Sequence, residues 1–322
     1  MSNFMENSNN LLIVDALNLS FRWKHSDFKF PEVMANVLNE QFEDGKISEE
    51  ELRAEVREYF KEQGAYFGEK YKDTVESFAA SYGAPRIIIT ADSGKSAFRK
   101  AIYPEYKANR TAKVDLNTVV DDAVFACFFD MYQDALSAEI AEVGTVIRFA
   151  GVEADDIAAY IINHTDVTSR YDNVWLVTSD SDWDLLLRDN VHRFNWATQK
   201  NWKNITKTGP RPREVTLDNW GEHHEYAPEQ HLFAKCLEGD SGDNVPGVDG
   251  IGPKRALEII NKYGDIDNLI ENLPLKGTAQ YIKNLNAFKD IFPMTRKLMD
   301  LNAYCHEAVL EHGQAIQAII NE

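Results

Sequence analysis

Four short apolar runs in the first 180 residues constrain the fold most strongly, because each is rich in strand-forming side chains and each is followed by helix-like sequence. They are LLIV (11–14), RIIIT (86–90), TVIRF (145–149) and VWLVT (174–178). Strands that alternate with helices predict a mainly parallel α/β sheet flanked by helices. Uninterrupted apolar runs indicate strands covered on both faces. A further short strand is predicted at VHRFNW (191–196).

Two regions depart from this alternation. A long charged insertion, residues 30–71, separates the first two strands. Its centre, EEELRAEVREYFKE (49–62), spaces Glu against Arg and Lys; this predicts a helix with a solvated face, and a partner-binding helix is the alternative. Residues 199–213 are basic and interrupted by Pro, which predicts a loop or a β-ribbon.

From about residue 228 the pattern is helical to the end of the sequence. At 322 residues the chain is long enough for one large domain or two smaller ones. We expect an α/β core over residues 10–198 and a helical region over residues 214–310.

The composition is that of a folded, soluble protein, with 44% hydrophobic and 11% aromatic residues. No apolar run approaches the roughly 20 residues that cross a bilayer. The first ten residues, MSNFMENSNN, lack the positive flank of a signal peptide. Three widely spaced cysteines, an odd number, favour a reduced chain without a cysteine-based metal site.

Acidic side chains recur where the predicted strands end. Asp15 directly follows the first strand, Asp92 comes shortly after the second, GVEADD follows the third and TSDSDWD the fourth. In an open parallel sheet the carboxyl ends of the strands form the ligand-binding edge. This edge therefore collects seven carboxylates: Asp15, Asp92, Glu153, Asp155, Asp156, Asp180 and Asp182.

Any one of these acids alone is more simply a turn former or a helix N-cap. Seven together need compensation, because each negative charge opposes the ionisation of the others. These turns contain no His and almost no Lys or Arg. An all-oxygen donor set suits a hard cation such as Mg²⁺ or Mn²⁺. With Asp240 and Asp243 of GDSGDN added from the helical half, the sequence predicts a two-metal site.

Two divalent ions roughly 4 Å apart are the usual device for in-line displacement at phosphorus. One ion activates a water molecule, and the other stabilises the leaving oxygen. A Ser, His or Cys nucleophile is then unnecessary, and no convincing catalytic triad is visible. The predicted chemistry is hydrolysis of a phosphate ester.

The formal net charge of −18 argues against a nucleic-acid partner. Residues 95–113 reverse this balance locally, with six basic side chains and one acid. Aromatic residues interleave with the charges, as where bases stack while the backbone is neutralised; a basic helix face that balances nearby acids is the alternative. Lys107 and Arg110 lie three residues apart, so they would share a helix face and clamp a phosphate opposite the metals.

The segment GIGPKRA (250–256) fits a hairpin between two short helices. Its glycines let backbone amides approach a phosphate, and the following helix offers its positive N-terminal end. Pro253 suits the first helical turn. Lys254 and Arg255 add full charges, so we expect contacts to a duplex backbone that do not depend on base sequence.

In combination, these motifs resemble the 5′-nuclease superfamily, and most of all its phage-type flap endonucleases, also called 5′-to-3′ exonucleases. The segments that carry the resemblance are IVDALN, TADSGKSAFR, EYKANR, GVEADD, TSDSDWD and LEGDSGDNVPGVDGIGPKRA, and it covers about residues 10–310. It implies a PIN-like core with a helical arch, here residues 95–135, and a helical-hairpin region that binds duplex DNA.

The activity implied by the resemblance is metal-dependent hydrolysis of DNA with 5′ flaps, 5′ overhangs or nicks, which leaves 5′-phosphate and 3′-hydroxyl ends. Removal of RNA primers during DNA replication is implied as well. The cofactors would be two Mg²⁺ ions, or three, with Mn²⁺ as a substitute and K⁺ at the hairpin. Replication proteins are the candidate protein partners. We expect a free-standing monomer in the cytoplasm, that of the bacterial host if the chain is phage-encoded, and no membrane association.

Residue roles follow from the matched motifs. The implied metal ligands are Asp15, Asp92, Glu153, Asp155, Asp156, Asp180, Asp182, Asp240 and Asp243. Lys107 and Arg110 match the basic pair of the arch, and Tyr106 is expected to contact substrate, so these three are the predicted catalytic residues. The predicted DNA-binding residues are Arg99, Lys100, Lys113, Gly250, Gly252, Lys254 and Arg255. The insertion is longer than the family pattern, and Ala16 replaces a frequent Gly.

Three other functions compete with this interpretation. A non-catalytic binder of branched DNA would keep the hairpin, but it should have lost some of the acids, and every motif acid is present. A phosphatase of the haloacid dehalogenase type needs D-x-D after the first strand, and Leu17 occupies the second position. A small PIN-domain ribonuclease would be much shorter and would lack the hairpin.

Overall fold

The predicted strands form one sheet in the computed structural model, which describes residues 8–26, 28–112, 118–197 and 213–322. The strands are β1 (Leu11–Asp15), β2 (Arg86–Thr90), β3 (Thr145–Ile147), β4 (Val174–Val177), β5 (Val191–Phe194) and β6 (Glu214–Val215). Their order is β3-β2-β1-β4-β5-β6, with the first five parallel and β6 antiparallel to β5. The mainly parallel α/β fold is confirmed. Strand β6 was not predicted, because its two residues do not form an apolar run. It extends the sheet beyond residue 198, where the predicted α/β core ends.

Both faces of the sheet are covered, as the continuous apolar runs predicted. On β1, Leu12 and Val14 belong to one hydrophobic cluster, while Leu11 and Ile13 belong to another on the opposite face. All four side chains are fully buried. Alternate side chains of a strand point to opposite faces, so a helical layer lies against each side.

The helices of the first half cover one face and part of the other. They are α1 (Ala16–Ser26), α2 (Glu32–Glu43), α3 (Glu49–Phe60), α4 (Gln63–Ser81), α5 (Ala97–Ile102), α6 (Asn109–Ala112), α7 (Val119–Ser137), α8 (Glu139–Val143), α9 (Ala154–His164) and α10 (Val167–Arg170). A 3₁₀ helix, Ser181–Leu186, follows β4.

The charged insertion contains the predicted helix. It begins at a capping box formed by Ser48 and Glu51, which satisfies backbone amides at the helix start. One face of α3 is solvated and carries the Glu49–Arg53 ion pair. The other face buries Leu52, Val56 and Phe60 in the core, so this helix also supports the fold.

The predicted arch, residues 95–135, is built from α5, α6 and α7, and residues 113–117 lie outside the described part of the chain. Most of α7 is a core helix that packs beside α3 and α4. Its Phe128 and Tyr132 are buried, whereas Phe125 and Phe129 are substantially exposed. The buried face of α7 is therefore part of the hydrophobic core and does not belong to the predicted arch. Of the basic stretch predicted as a loop or β-ribbon, residues 199–212 lie outside the described part of the chain, and Arg213 directly precedes β6.

Beyond residue 228 the chain is helical, as predicted. A short helix, α11 (Trp220–His223), precedes this region. The helices within it are α12 (His231–Glu238), α13 (Pro253–Tyr263), α14 (Ile266–Asn272), α15 (Gln280–Ala287), α16 (Phe292–Met299), α17 (Leu301–Ala308) and α18 (Gly313–Asn321). Helices α12 to α16 enclose a separate hydrophobic cluster. Residues Leu301 to Ile320 instead return to the sheet and pack with α9.

Within the described residues, no helix is long and apolar enough to cross a membrane. The three cysteines, Cys127, Cys236 and Cys305, are buried and free. Burial raises the pKa of Cys305 to about 11, so this thiol stays protonated at neutral pH.

Candidate active site at the carboxyl edge of the sheet

The nine predicted acids approach one edge of the sheet from two directions. Asp15 ends β1, and Asp180 caps the 3₁₀ helix that carries Asp182. Asp240 and Asp243 lie in the connection from α12 to α13. Four acids from both directions, Asp155, Asp182, Asp240 and Asp243, line one small pocket. The fold therefore gathers carboxylates from sequence positions far apart.

Four of the acids, Asp15, Asp92, Asp155 and Asp180, form no ion pair within the described residues. Each is held instead by neutral donors. These are Asn18 N and Thr178 Oγ1 for Asp15 (3.2 and 2.9 Å), Ala154 N for Asp92 (2.7 Å), Trp183 Nε1 for Asp155 (2.7 Å) and Asp182 N for Asp180 (2.9 Å). The neutral donors fix these side chains without cancelling their charge.

The electrostatics of these four acids are strained. Burial, followed by the negative charge of Asp92, raises the pKa of Asp15. Burial and then the charges of Asp180, Asp15 and Asp92 raise the pKa of Asp155 well above its usual value. Burial raises the pKa of Asp92 as well. The repulsion between these groups favours their protonated forms. A cation placed among them would reduce the repulsion and favour the ionised carboxylates.

Four other acids are neutralised by basic side chains. Lys107 Nζ lies 2.6 Å from Glu153 Oε1, and Arg110 Nη2 lies 2.5 Å from Asp243 Oδ1. Lys235 on α12 forms an ion pair with Asp182. Arg99 pairs with Asp156 through two nitrogens, at 2.5 and 2.9 Å. The nine predicted ligands thus comprise four acids without an ion pair in the described part of the chain, four acids paired with Lys or Arg, and Asp240. Asp240 accepts hydrogen bonds from the backbone amides of Gly242 and Asp243.

Arg99 requires a correction, because it was predicted to contact DNA. Its side chain is 5% exposed. Besides Asp156, its guanidinium donates to Glu153 Oε2 and to the carbonyl of Leu298, each at 2.9 Å. It is a buried structural cation that joins α5, α9 and α16. Four of its five N–H donors are engaged by these partners, and the side chain lies too far inside the protein to reach a phosphate.

Tyr106 also differs from the prediction. It is 3% exposed, so its ring offers no free face for a base. Its hydroxyl lies 2.7 Å from Asp243 Oδ2 and 3.1 Å from Glu153 Oε2, so its one hydrogen is shared between these two acceptors. The side chain therefore positions carboxylates from both halves of the site.

Lys107 and Arg110 do not share a helix face. Lys107 adopts a left-handed backbone conformation, with φ of 56°, and precedes α6, whereas Arg110 lies within it. Both side chains nevertheless converge on Asp243, Lys107 at 3.5 Å and Arg110 at 2.5 Å. Burial opposes ionisation of Asp243, but these two cations outweigh it and hold the pKa of Asp243 below its usual value.

Sequence reasoning missed Asp184, whose ion pair with Arg193 holds the 3₁₀ helix that carries Asp182. Asp184, in the same 3₁₀ helix, is buried and receives two hydrogen bonds from Arg193 of β5, at 2.5 and 2.9 Å. Burial opposes ionisation of Asp184, yet Arg193 and His224 lower its pKa to about 2. The motif TSDSDWD contains this third acid, but only the fold reveals its partner.

The donor chemistry of the edge fits a hard divalent cation. The available ligands are carboxylate oxygens, which suit Mg²⁺ or Mn²⁺. Within the described residues, no three His, Cys, Asp or Glu side chains stand close enough together to hold one ion as a ready-made cage. Two features keep the carboxylates apart. Like charges repel one another, and Lys and Arg side chains form ion pairs with Glu153, Asp156, Asp182 and Asp243. The described carboxylates thus lie at the same edge of the sheet, but they are not spaced to coordinate a single ion.

A large cavity lies beside these acids. Its volume is about 1010 Å³, and its walls include Asp92, Glu153, Lys107, Arg110 and Lys100. Lys100 is partly exposed and donates to the carbonyl of Pro104 at 2.7 Å. The predicted DNA contact Lys113 lies outside the described residues. The cavity wall therefore places basic side chains beside the acids.

The predicted hairpin joins α12 to α13. Gly250 has a left-handed backbone, with φ of 78°, and Gly252 precedes Pro253, the first residue of α13. Lys254 is exposed. Arg255 donates to the carbonyl of Gly250, and its guanidinium lies over the ring of Tyr281, 4.4 Å from the ring centre. Arg255 therefore stabilises the loop, while Lys254 is exposed and forms no ion pair with the residues that the structure describes.

Two protein-family models match the chain. The model described as 5′-3′ exonuclease, N-terminal resolvase-like domain, matches residues 61–211, and the model described as 5′-3′ exonuclease, C-terminal SAM fold, matches residues 226–315. Together they cover more than half of the chain. Their order agrees with an α/β half followed by a helical half.

Relatives agree with these matches. The flap endonuclease of Escherichia phage T5 is 36% identical over 97% of this chain and 90% of its own length. The 5′-3′ exonuclease of Bacillus subtilis strain 168 is 33% identical over 71% of this chain and 68% of its own. A solved structure of the phage T5 flap endonuclease, in a pseudo-enzyme–product complex with DNA and metal ions, superposes with a TM-score of 0.76 at 34% identity and covers 98% of this chain and all of that one. The chain therefore belongs to the 5′-3′ exonuclease family.

Proposed function

We propose that the protein is a structure-specific 5′ nuclease that hydrolyses phosphodiester bonds of branched or 5′-ended DNA with the help of divalent cations. One observation carries the proposal: four buried or half-buried acids, Asp15, Asp92, Asp155 and Asp180, repel one another at the carboxyl edge of the sheet and form no ion pair within the described residues. A purely structural role would not retain this arrangement, because it favours protonation and opposes folding.

The residues that would hold the cations are these four acids, joined by Asp182, Asp240, Asp243 and Glu153 from the rim; Mg²⁺ is the proposed ion and Mn²⁺ its substitute. Bound there, the cations would supply an activated water and would neutralise charge on the phosphate. Asp156 is better suited to a supporting role, because its oxygens are engaged by the buried Arg99.

Lys107 and Arg110 are the proposed phosphate clamp. Both are held at the site by Asp243, and both line the cavity. A phosphate that enters between them and the acids would offer oxygens to the same donors. Hydrogen bonds between such cations and phosphate are strong, and they would be strongest when negative charge develops on the phosphate. Tyr106 would keep Glu153 and Asp243 in place during this exchange.

The hairpin is the proposed grip on the duplex. Gly250 and Gly252 leave backbone amides unscreened at the start of α13, and Lys254 adds an exposed charge. Contacts of this kind bind the phosphate backbone without reading bases, which suits an enzyme that selects DNA by structure. K⁺ is the candidate ion for the carbonyls of this loop.

The proposed substrates are DNA with 5′ flaps, 5′ overhangs or nicks, and RNA primers paired with DNA. This substrate class is supported by the names of the relatives, a flap endonuclease and a 5′-3′ exonuclease. A role in DNA replication or primer removal follows from it. Replication proteins would be the partners, and the protein would act as a monomer.

The test is cleavage of a duplex that carries a 5′ flap with a label on the flap strand. We expect products of defined length with Mg²⁺ and none with EDTA, and an Asp92→Asn variant purified in parallel should be inactive, which excludes a contaminating nuclease. Release of the intact flap would indicate endonucleolytic cutting, and mononucleotides would indicate exonucleolytic cutting. Binding of the flap duplex without cleavage would contradict the proposal and favour a non-catalytic binder of branched DNA.

A further inference from the structure

Tyr132 carries a buried hydroxyl that has no hydrogen-bond partner within the described residues. The residue lies in the middle of α7 and is 1% exposed. A second buried tyrosine of the same cluster, Tyr71, donates to the carbonyl of Ala16 at 2.9 Å. Buried hydroxyls are normally paired in this way, because an unpaired one is destabilising. The unpaired hydroxyl of Tyr132 therefore requires an explanation.

The position of Tyr132 connects it to the acidic edge. It lines the same cavity as Asp92, Glu153, Lys107 and Arg110. Burial, followed by the negative charges of Asp92 and Asp15, raises the pKa of Tyr132. The side chain thus shares the cavity wall with Asp92, one of the acids that form no ion pair within the described residues, and its hydroxyl stays protonated at neutral pH.

A protonated phenol offers one hydrogen-bond donor. No described residue accepts it, so the natural acceptor is an oxygen atom that is brought into the site. Beside Asp92 and Asp15, such oxygens belong to the ligands of the divalent cation. Partners of this kind, one step removed from a metal, orient its ligands and commonly change metal affinity by about 10- to 100-fold when they are removed.

We propose that Tyr132 is a positioning residue of the metal site, whose hydroxyl donates a hydrogen bond to an oxygen ligand of the cation held by Asp92 and Asp15. This inference rests on the proposed function. It adds a residue from the core helix α7 to a site otherwise built from strand ends, the basic cavity wall and the hairpin.

The test is Mn²⁺ binding by the full chain without DNA, measured from the signal of free Mn²⁺ in electron paramagnetic resonance. Tyr132→Phe removes a single oxygen atom. We expect the dissociation constant for Mn²⁺ to rise about 10-fold, while the thermal unfolding temperature of the metal-free protein is unchanged or slightly higher, because an unpaired buried hydroxyl has been removed. A merely structural role of Tyr132 would not change the Mn²⁺ affinity.

Tyr160→Phe is the matched control, because Tyr160 is a buried helical tyrosine in the hydrophobic cluster on the other face of the sheet. It should bind Mn²⁺ like the parent chain. Equal Mn²⁺ affinity of Tyr132→Phe and the parent would overturn this inference alone. Failure of the parent chain itself to bind Mn²⁺ would overturn the proposed function together with the inference, so the two failures are distinguishable.

Discussion

Lys107 Nζ lies 2.6 Å from Glu153 Oε1, and the backbone amide of Lys107 donates to the carbonyl of Asp243 at 2.8 Å. Glu153 follows a strand of the sheet, whereas Asp243 belongs to the hairpin connection. A single residue thus bridges the two halves of the site. Lys107 has a left-handed backbone, and its charge lies in the cavity wall beside Glu153.

Replacing Asp180 with Asn tests the role of the unpaired acids. The amide keeps the size of the side chain and removes its charge, so we expect the single-turnover cleavage rate of a 5′-flap duplex to fall by at least about 100-fold. Affinity for the same duplex should change by no more than a few-fold. Asp166→Asn, at an exposed acid paired with Arg170, is the control and should cleave normally. Unimpaired cutting by Asp180→Asn would rule out a metal-binding role for this residue.

Replacing Lys107 with Ala tests the phosphate clamp. Loss of one electrostatic contact to the reacting group commonly costs about 100- to 1000-fold in kcat, and we expect a loss of that size in single-turnover cleavage. Lys95→Ala is the control, because Lys95 is an exposed lysine of the same cavity wall. An unchanged single-turnover rate in Lys107→Ala would show that Lys107 serves only to pair with Glu153 and Asp243.

Replacing Lys254 with Ala tests the duplex grip. The exposed charge at the start of α13 should contact one phosphate, so its loss should weaken binding to any duplex sequence and should reduce the slope of log affinity against log salt concentration by about 1. Lys262→Ala, at the far end of the same helix, should leave the slope unaltered. Identical slopes for Lys254→Ala and the parent would place the DNA elsewhere.

The raised pKa values of the acids predict how the stability of the metal-free protein depends on pH. Burial, followed by the charge of Asp182, raises the pKa of Asp180 to about 7, and burial with the charge of Asp92 raises that of Asp15 to about 8. Both values exceed the roughly 3.9 of an unfolded chain, so the folded state binds these protons more tightly. Their stabilising contribution is fully present only below the unfolded pKa and is lost progressively as pH rises from about 4 to about 7 for Asp180 and about 8 for Asp15.

We therefore expect the thermal unfolding temperature in EDTA to fall between about pH 5.5 and about pH 8.5. Added Mg²⁺ should reverse this loss, with a larger effect at the higher pH, because the cation replaces the protons. Asp180→Asn should show a shallower pH dependence. A metal-free protein that becomes more stable across this range would contradict the electrostatic description of the site.

The sequence predicts the framework of the site, because its signals are local. Runs such as RIIIT identify strands, and acids such as Asp15 and Asp92 directly follow them, so their meeting at one edge follows from the parallel order. Ion pairs between distant residues leave no local signal. Lys235 and Asp182, and likewise Arg99 and Asp156, are more than 50 positions apart, so nothing in the local pattern distinguishes a buried structural arginine from a DNA-binding one. The hydroxyl of Tyr132 is similarly hidden in an apolar helical pattern.

The most direct measurement of the central claim is anomalous diffraction from crystals of the protein soaked in Mn²⁺. The proposed function predicts strong anomalous peaks among Asp15, Asp92, Asp155 and Asp180, within coordination distance of their oxygens. The absence of peaks at these four side chains, in crystals that bind Mn²⁺ elsewhere or nowhere, would contradict it.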